Sequence, residues 1–291
     1  LLGYCLGGTL SYCAAHEGVV DVAVSYYPVG LAERLSQYPK KVTVPLVMHF
    51  GDADAHIPIQ EIESLSATLA GAPDAKAFVY RDAGRAFATP GRDSYQKSSA
   101  RLAHSRTIAV LRRVLGPVFD LEAIWDAHLA CEFVRRDADA TLDTMSSEPY
   151  VNHIPTLTGG VGRRDLHYFY ARHFIPKTPP DFRMIPISRT VGADRIVDEG
   201  VGCFTHTTEF DFLLPGIPPT GRYVEVPSVL VVSFRGGKLQ HEHIYWDQAS
   251  VLVQVGLLDA TGLPVTGREQ ATKALDEGSI PSNELLPTWR K

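Results

Sequence analysis

The hexapeptide Gly3-Tyr4-Cys5-Leu6-Gly7-Gly8 frames a single thiol with glycines two positions to either side. That spacing is the pattern of a nucleophile elbow, a strained strand-to-helix turn that lifts one side chain into a cleft. A thiolate at a helix N-terminus is favoured by the backbone dipole and attacks acyl carbons. The backbone N–H of Leu6 would then supply one oxyanion donor. The plainer reading of Cys5 is a small buried hydrophobe. A second set of chemistry-bearing residues lies in His241-Glu242-His243-Ile244-Tyr245-Trp246-Asp247. Strict alternation puts His241, His243, Tyr245 and Asp247 on one strand face and Glu242, Ile244 and Trp246 on the other. Such a row of histidines and a carboxylate suits a polar cavity for proton transfer. The alternative is a polar strand face that meets solvent.

The elements that must position these residues fall into two patterns divided at Gly116-Pro117. Before that breaker, the helical stretch 9–16 and the runs 20–26, 44–50 and 77–80 alternate with helical spacing over 31–36, 59–69 and 99–115. Strands separated by helices imply βαβ units and a parallel sheet, an α/β fold. The strand that should precede the elbow has only Leu1 and Leu2, so this part reads as the later half of a domain whose N-terminal half is missing. After the breaker, Asp120 is a plausible N-cap for a helix over 121–137. Shorter helices follow over 139–145 and 162–174. Strand-like runs then cover 184–190, 195–206, 223–234 and 239–247, joined by Gly-containing turns. Helices followed by an antiparallel meander make an α+β arrangement. The two domains are expected at 1–116 and 117–291, the second ending in a partly irregular tail.

Composition narrows the class. The 291 residues carry a net charge of −5, with 45% hydrophobic and 21% charged residues. No basic face for a polyanion is implied, so nucleic acid is not an expected partner. No run of about 18 apolar residues exists for a membrane helix. Cys5, Cys13, Cys131 and Cys203 are far apart, without CxxC spacing or a zinc-type Cys/His cluster. They read as free thiols in a reducing, cytoplasmic compartment, with no metal.

Three motifs in order, GYCLGG at 3–8, SYYPVGL at 25–31 and PLVMHFGDADAHIP at 45–58, resemble the dienelactone hydrolases (carboxymethylenebutenolidases) of the α/β-hydrolase fold. The resemblance covers about residues 1–115. It implies hydrolysis of a small lactone or ester without cofactor, with Cys5 as nucleophile and Asp54 as the triad acid. Asp54 is also readable as a turn-forming carboxylate. The resemblance puts the base in a loop of the form Ala-Gly-His-x-Phe, and here that loop is Ala83-Gly84-Arg85-Ala86-Phe87. Arginine stays protonated, so it neither accepts the thiol proton nor returns one to a leaving alkoxide. It would instead hold the thiolate by charge and pair bidentately with Asp54. Hydrolysis is therefore expected to be impaired. Of the remaining histidines, His16, His49, His56 and His104, only His56 lies close in sequence to Asp54.

The region 118–258 resembles the SnoaL-like polyketide cyclases of the nuclear-transport-factor-2-like superfamily, a cone of helices on a curved antiparallel sheet. The residues that carry this are GRRDLHYFYARHFIP at 162–176, the GKL turn at 237–239, and YWDQA with its trailing QVGLL at 245–258. The resemblance implies Asp247 as an acid/base on a carbon acid. It also implies a cavity shared with His206, His241, His243 and Tyr245, and homo-oligomerisation through the second domain. Glu199, Arg222 and His173 are weaker candidates. A non-catalytic binding or oligomerisation module is the other reading, since this fold hosts all three.

Overall fold

The computed structural model describes residues 1–31, 34 and 42–289, and they divide into two compact units, Leu1–Val118 and Phe119–Lys291. Most of the expected helix over 31–36 lies outside the described residues.

In the first unit β1 (Leu2–Tyr4), β2 (Ala23–Tyr26), β3 (Leu46–Gly51) and β4 (Ala75–Tyr80) form one sheet in sequential order. All neighbours are parallel, with Leu2 opposite Val24, Ala23 opposite Leu46 and Leu46 opposite Ala75. The central strands β2 and β3 are buried at every position, as a sheet covered on both faces requires. Helices α1 (Leu6–Glu17), α2 (Ile59–Leu69) and α3 (Lys97–Leu115) are the crossovers and the closing helix. In α2 the buried residues are Ile62, Leu65 and Leu69, one stripe at three- and four-residue spacing. Tyr12, Val24, Met48, Phe50 and Leu65 sit at the centre of this core.

A polar chain runs through that core. The Tyr26 hydroxyl meets Thr107 Oγ1 at 2.8 Å, Thr107 Oγ1 meets His49 Nε2 at 3.0 Å, and His49 Nδ1 meets the Tyr80 hydroxyl at 2.9 Å. Three strands and α3 are thereby linked by side chains whose polar atoms are all partnered, the condition for burying them at little cost. Burial, with the Arg106 charge as a second cause, pushes His49 down to about 3. Its ring is a neutral structural link.

The second unit holds a six-stranded sheet in the order β6-β5-β10-β9-β8-β7. Its strands are β5 (Met145–His153), β6 (Thr158–Val161), β7 (Arg183–Val191), β8 (Arg195–Thr205), β9 (Tyr223–Arg235) and β10 (Lys238–Trp246). The four long runs expected over 184–247 appear within a residue or two of their expected ends. The hairpin β5–β6 was not expected. Because β5 pairs in parallel with β10, the sheet is mixed rather than wholly antiparallel.

Two helices on this sheet change pitch partway along. Helix α4 (Leu121–Leu129), capped by the Asp120 carboxylate on the Ala123 N–H at 3.0 Å, continues as a π-helical turn over Ala130–Arg135. After α5 (Ala138–Asp143), α6 (Arg163–Phe169) likewise runs into a π turn over Tyr170–Phe174. Arg136, left-handed at the end of the first π turn, donates to the carbonyls of Ile175 and Thr178 at the end of the second. Trp125, Tyr170, Phe204 and Phe210 are fully buried between helices and sheet. Helices α7 (Gln248–Gln254) and α8 (Glu269–Leu275) close the unit. Among the described residues no helix is long and apolar enough to cross a membrane.

Candidate functional site

Cys5 sits between β1 and α1 with φ 56° and ψ −121°, a conformation that L-residues rarely adopt. Its N–H donates to the Tyr26 carbonyl at 3.0 Å, which pins the turn to β2. Two glycines permit this geometry. A Cβ on Gly3 would lie 1.9 Å from the Gly7 carbonyl oxygen, and one on Gly8 would lie 2.8 Å from the Tyr26 carbonyl oxygen. Gly7 has nothing within 4 Å of the corresponding position. The sterically required pair is thus Gly3 and Gly8, not Gly3 and Gly7. The thiol is exposed, and Leu6 opens α1 directly behind it.

The side chain facing the sulfur is Arg85. Its Nη2 donates to Cys5 Sγ at 2.8 Å, and its Nη1 reaches Asp54 Oδ2 at 3.4 Å. The guanidinium bridges the two groups with one nitrogen each, so the bidentate Arg85–Asp54 pair expected from sequence is not formed. The loop that presents Arg85 is held where Ser94 Oγ donates to the Arg85 carbonyl at 2.5 Å. The Asp54 side chain is 1% exposed, and its Oδ1 accepts the His56 N–H at 2.9 Å. Asp54 therefore serves both as turn former and as a buried anion beneath Arg85. The His56 ring lies 3.4 Å from the same Oδ1 but is 66% exposed. His16 is buried against the Tyr12 ring, His49 belongs to the core chain described above, and His104 is exposed on α3.

The second unit contains a cavity of about 460 Å³. On β5, β9 and β10 alternate residues line it, Val151 and His153, then Val226, Ser228 and Leu230, then Glu242, Ile244 and Trp246, while β8 adds Asp198, Glu199, Gly200 and Gly202 and β7 adds Met184 and residues 186–189. Trp125, Leu129, Glu132 and Phe133 close it from α4 and its π turn, with Tyr170 and Phe174 from the second π turn.

This lining corrects the sequence reading of β10. The alternation was legible, but the inward face is Glu242-Ile244-Trp246, and His241, His243 and Tyr245 lie on the opposite one. There they form a ladder of rings, His241 to His243 at 5.2 Å and His243 to Tyr245 at 6.4 Å, joined by Tyr150 of β5. His241 is fixed by Ser233 Oγ at 2.7 Å from Nδ1. Cavity walls here are chosen by apolar area, and Ile244 and Trp246 outweigh a histidine row. His206 does not line the cavity either. It meets Thr220 Oγ1 through Nδ1 at 3.1 Å, and burial pushes its pKa down. Asp247 is the N-cap of α7: Oδ1 accepts from the N–H groups of Ala249 at 2.9 Å and Ser250 at 3.3 Å, and Oδ2 accepts from Gln270 at 2.6 Å. Its carboxylate is occupied by structure. Of the weaker candidates, Glu199 lines the cavity and His173 pairs with Asp211 at 2.8 Å.

Sequence reasoning missed a buried titratable cluster, His128 with the cavity-lining Glu132 and Glu242. His128 Nε2 lies 3.1 Å from Glu132 Oε1 and 3.2 Å from Glu242 Oε1, and all three residues are at most 5% exposed. Thr144 Oγ1 donates to the Thr141 carbonyl at 2.6 Å, so it accepts from His128 Nδ1–H, also at 2.6 Å. Burial alone would depress His128, but the two carboxylates outweigh it and raise the ring to about 10. Burial holds Glu242 above the usual carboxylate range, against the opposing pull of His128. The Tyr170 hydroxyl is raised by burial first and then by the charges of Glu242 and Glu132. The available sequence signal was the His128/Glu132 spacing of four on one helix face, which ordinarily marks a solvated pair.

Residues 1–115 match the model of the dienelactone hydrolase family. A carboxymethylenebutenolidase of Pseudomonas putida is 36% identical over 111 residues, which is 38% of this chain and 47% of that protein. The chain thus spans about half the length of the curated relatives it matches. The crystal structure of a putative dienelactone hydrolase from Klebsiella pneumoniae is similar over 38% of this chain and 50% of that one, at 27% identity and a TM-score of 0.35. A putative SnoaL-like polyketide cyclase from Jannaschia is similar over 50% of this chain and 97% of its own, at 18% identity and a TM-score of 0.39.

Proposed function

We propose that the first unit, whose residues 1–115 carry the dienelactone hydrolase family signature, is a thiol acylation site for a small lactone or activated ester with impaired turnover. One observation carries the reading: the guanidinium of Arg85 occupies the space between Cys5 Sγ and Asp54. In the first half-reaction the sulfur attacks as the thiolate, its proton passing to solvent; it bonds to the acyl carbon, the Leu6 N–H faces the developing oxyanion, and the C–O bond breaks as the carbonyl re-forms. The alkoxide must then leave with a proton. Arg85 supplies charge but no exchangeable proton near neutral pH, and it cannot draw a proton from the water that would cleave the thioester. Acylation is therefore favoured for leaving groups stable as anions, and deacylation is slow.

The test uses an aryl ester that releases a phenolate and an alkyl lactone of similar size. The aryl ester gives a burst of up to one equivalent per chain, followed by slow turnover, and the lactone gives no burst. Cys5→Ala abolishes the burst. Arg85→His restores a titrating group, raising turnover by as much as about 10²–10⁴-fold. A burst that survives Cys5→Ala refutes the reading.

The second unit supports a separate reading, binding of a small, largely apolar molecule in the cavity between helices and sheet. Its size falls in the usual range for small-molecule sites, and most of its lining is apolar, with Glu132 and Glu242 at one wall and Arg189, Asp198 and Glu199 at another. Quenching of Trp125 and Trp246 fluorescence by hydrophobic ring compounds, lost on Gly202→Trp, tests it.

A further inference from the structure

We propose that His128 Nε2, Glu132 Oε1 and Glu242 Oε1 form a divalent-cation site in the wall of the second unit's cavity. The site is built from two elements. The first is α4 with its π turn, which carries His128 and Glu132 four residues apart on one face. The second is the cavity face of β10.

The convergence of three buried ligand atoms from two elements carries the inference. Thr144 fixes the ring with Nδ1–H outward, so a neutral His128 directs the Nε2 lone pair at two carboxylates. Three acceptor atoms then converge within 4.8 Å of one another. Something positive must sit among them, because two buried carboxylates without a counter-charge are far too costly. A single proton on Nε2 is one solution. It makes the 3.1 Å hydrogen bond to Glu132 and leaves Glu242 Oε1, 3.2 Å from the same nitrogen, buried without a well-formed hydrogen bond. A divalent ion engages all three atoms and neutralises both carboxylates.

The spacing fits. Ligand atoms at about 2.0–2.2 Å from a common ion stand about 2.8–3.1 Å apart in octahedral and about 3.3–3.6 Å apart in tetrahedral geometry. The two Nε2-to-oxygen distances are 3.1 and 3.2 Å. An independent observation points the same way. The Tyr170 hydroxyl, 1% exposed and electrostatically coupled to both carboxylates, is near Glu132 but makes no hydrogen bond of good geometry. It is placed to donate to a water or a ligand oxygen on the ion. Both Glu132 and Glu242 line the cavity, so the open coordination positions face the space where a mainly apolar molecule with one carbonyl or hydroxyl oxygen would bind. One imidazole with two carboxylates suits zinc, manganese or ferrous iron better than calcium or magnesium.

The experiment uses the full chain, stripped with a chelator, and titrates it with Mn²⁺ and Co²⁺, which avoid the strong thiol preference of softer ions. The expected result is one ion per chain, with release of about one proton seen as buffer-dependent binding heat. Binding should weaken at least tenfold in Glu242→Gln and in Glu132→Gln, whose folding is checked by circular dichroism. Should either variant fail to fold, the wild type decides through NMR. Selective paramagnetic broadening of the His128 ring supports the site, and a His128 ring that keeps both protons in excess Mn²⁺ overturns it. Stoichiometric binding unchanged in the two variants also overturns it, since the ion then lies elsewhere.

Discussion

The neutral His49 link makes the first unit sensitive to acid well above the range where carboxylates titrate. His49 is fully buried, with Tyr80 on one ring nitrogen and Thr107 on the other. Protonation removes its one acceptor and places a charge beside Arg106, in a site from which water is excluded. Its folded pKa of about 3, against about 6.5 in an unfolded chain, is a depressed value. Between those two limits the unfolded state binds the extra proton, so stability is full above about pH 6.5 and is lost as pH falls toward the folded value. At about 1.4 kcal/mol per unit, the full loss is about 5 kcal/mol, of which about 2 kcal/mol falls between about pH 6.5 and 5.

For a domain of this size that upper interval corresponds to a fall in Tm of roughly 8 °C. The assay is thermal unfolding of the wild type and of His49→Gln across that range. Glutamine keeps a donor and an acceptor for Tyr80 and Thr107 but does not titrate. Subtracting the two pH profiles cancels every other group. The wild type should lose stability relative to the variant as pH drops. Parallel profiles would refute the reasoning, and so would a His49 ring that titrates near 6.5 by NMR.

The elbow and the cap give two further expectations. Gly3→Ala drives a Cβ into the Gly7 carbonyl and should cost about 3 kcal/mol or more in urea unfolding, whereas Gly7→Ala, with open space, should cost less than about 1 kcal/mol. Asp247→Ala removes the α7 cap and the Gln270 bond and should cost about 1–2 kcal/mol, while ligand binding in the cavity stays within about twofold of wild type. A selective loss of binding or turnover with unchanged stability would return Asp247 to the site.

What was legible in the sequence follows from where periodicity and side-chain chemistry coincide. The long strands β8, β9 and β10 carry β-branched, aromatic and leucine residues between Gly-containing turns, and their ends came out within a residue or two. Strand β5 did not, because its buried positions are Met145, Pro149, Val151 and His153, a set with a proline and without a β-branched run. The order Cys5, Asp54, Arg85 was readable from motifs, and these three side chains do meet. In β10 the two faces were separable, but the sequence did not say which faced inward, and the more reactive side chains drew the wrong choice. The His128 cluster was illegible for a different reason. Its members come from α4, the π turn and the inward face of β10, and no spacing in the sequence joins Glu242 to the His128/Glu132 pair.

Those two wider turns make the lining of the cavity a matter of residue count as much as residue type. Excising one position between Ala130 and Arg135 would let the segment rewind at ordinary pitch, which re-aims the side chains inside the turn while the chain beyond it stays in register. A cut ahead of Glu132 would aim that carboxylate away from Glu242, even though no lining side chain had been exchanged. Swapping one apolar wall residue for another should be far gentler. Single-residue deletions, rarely tried beside conventional point changes, are therefore the sharpest tool for asking whether this chamber has a job.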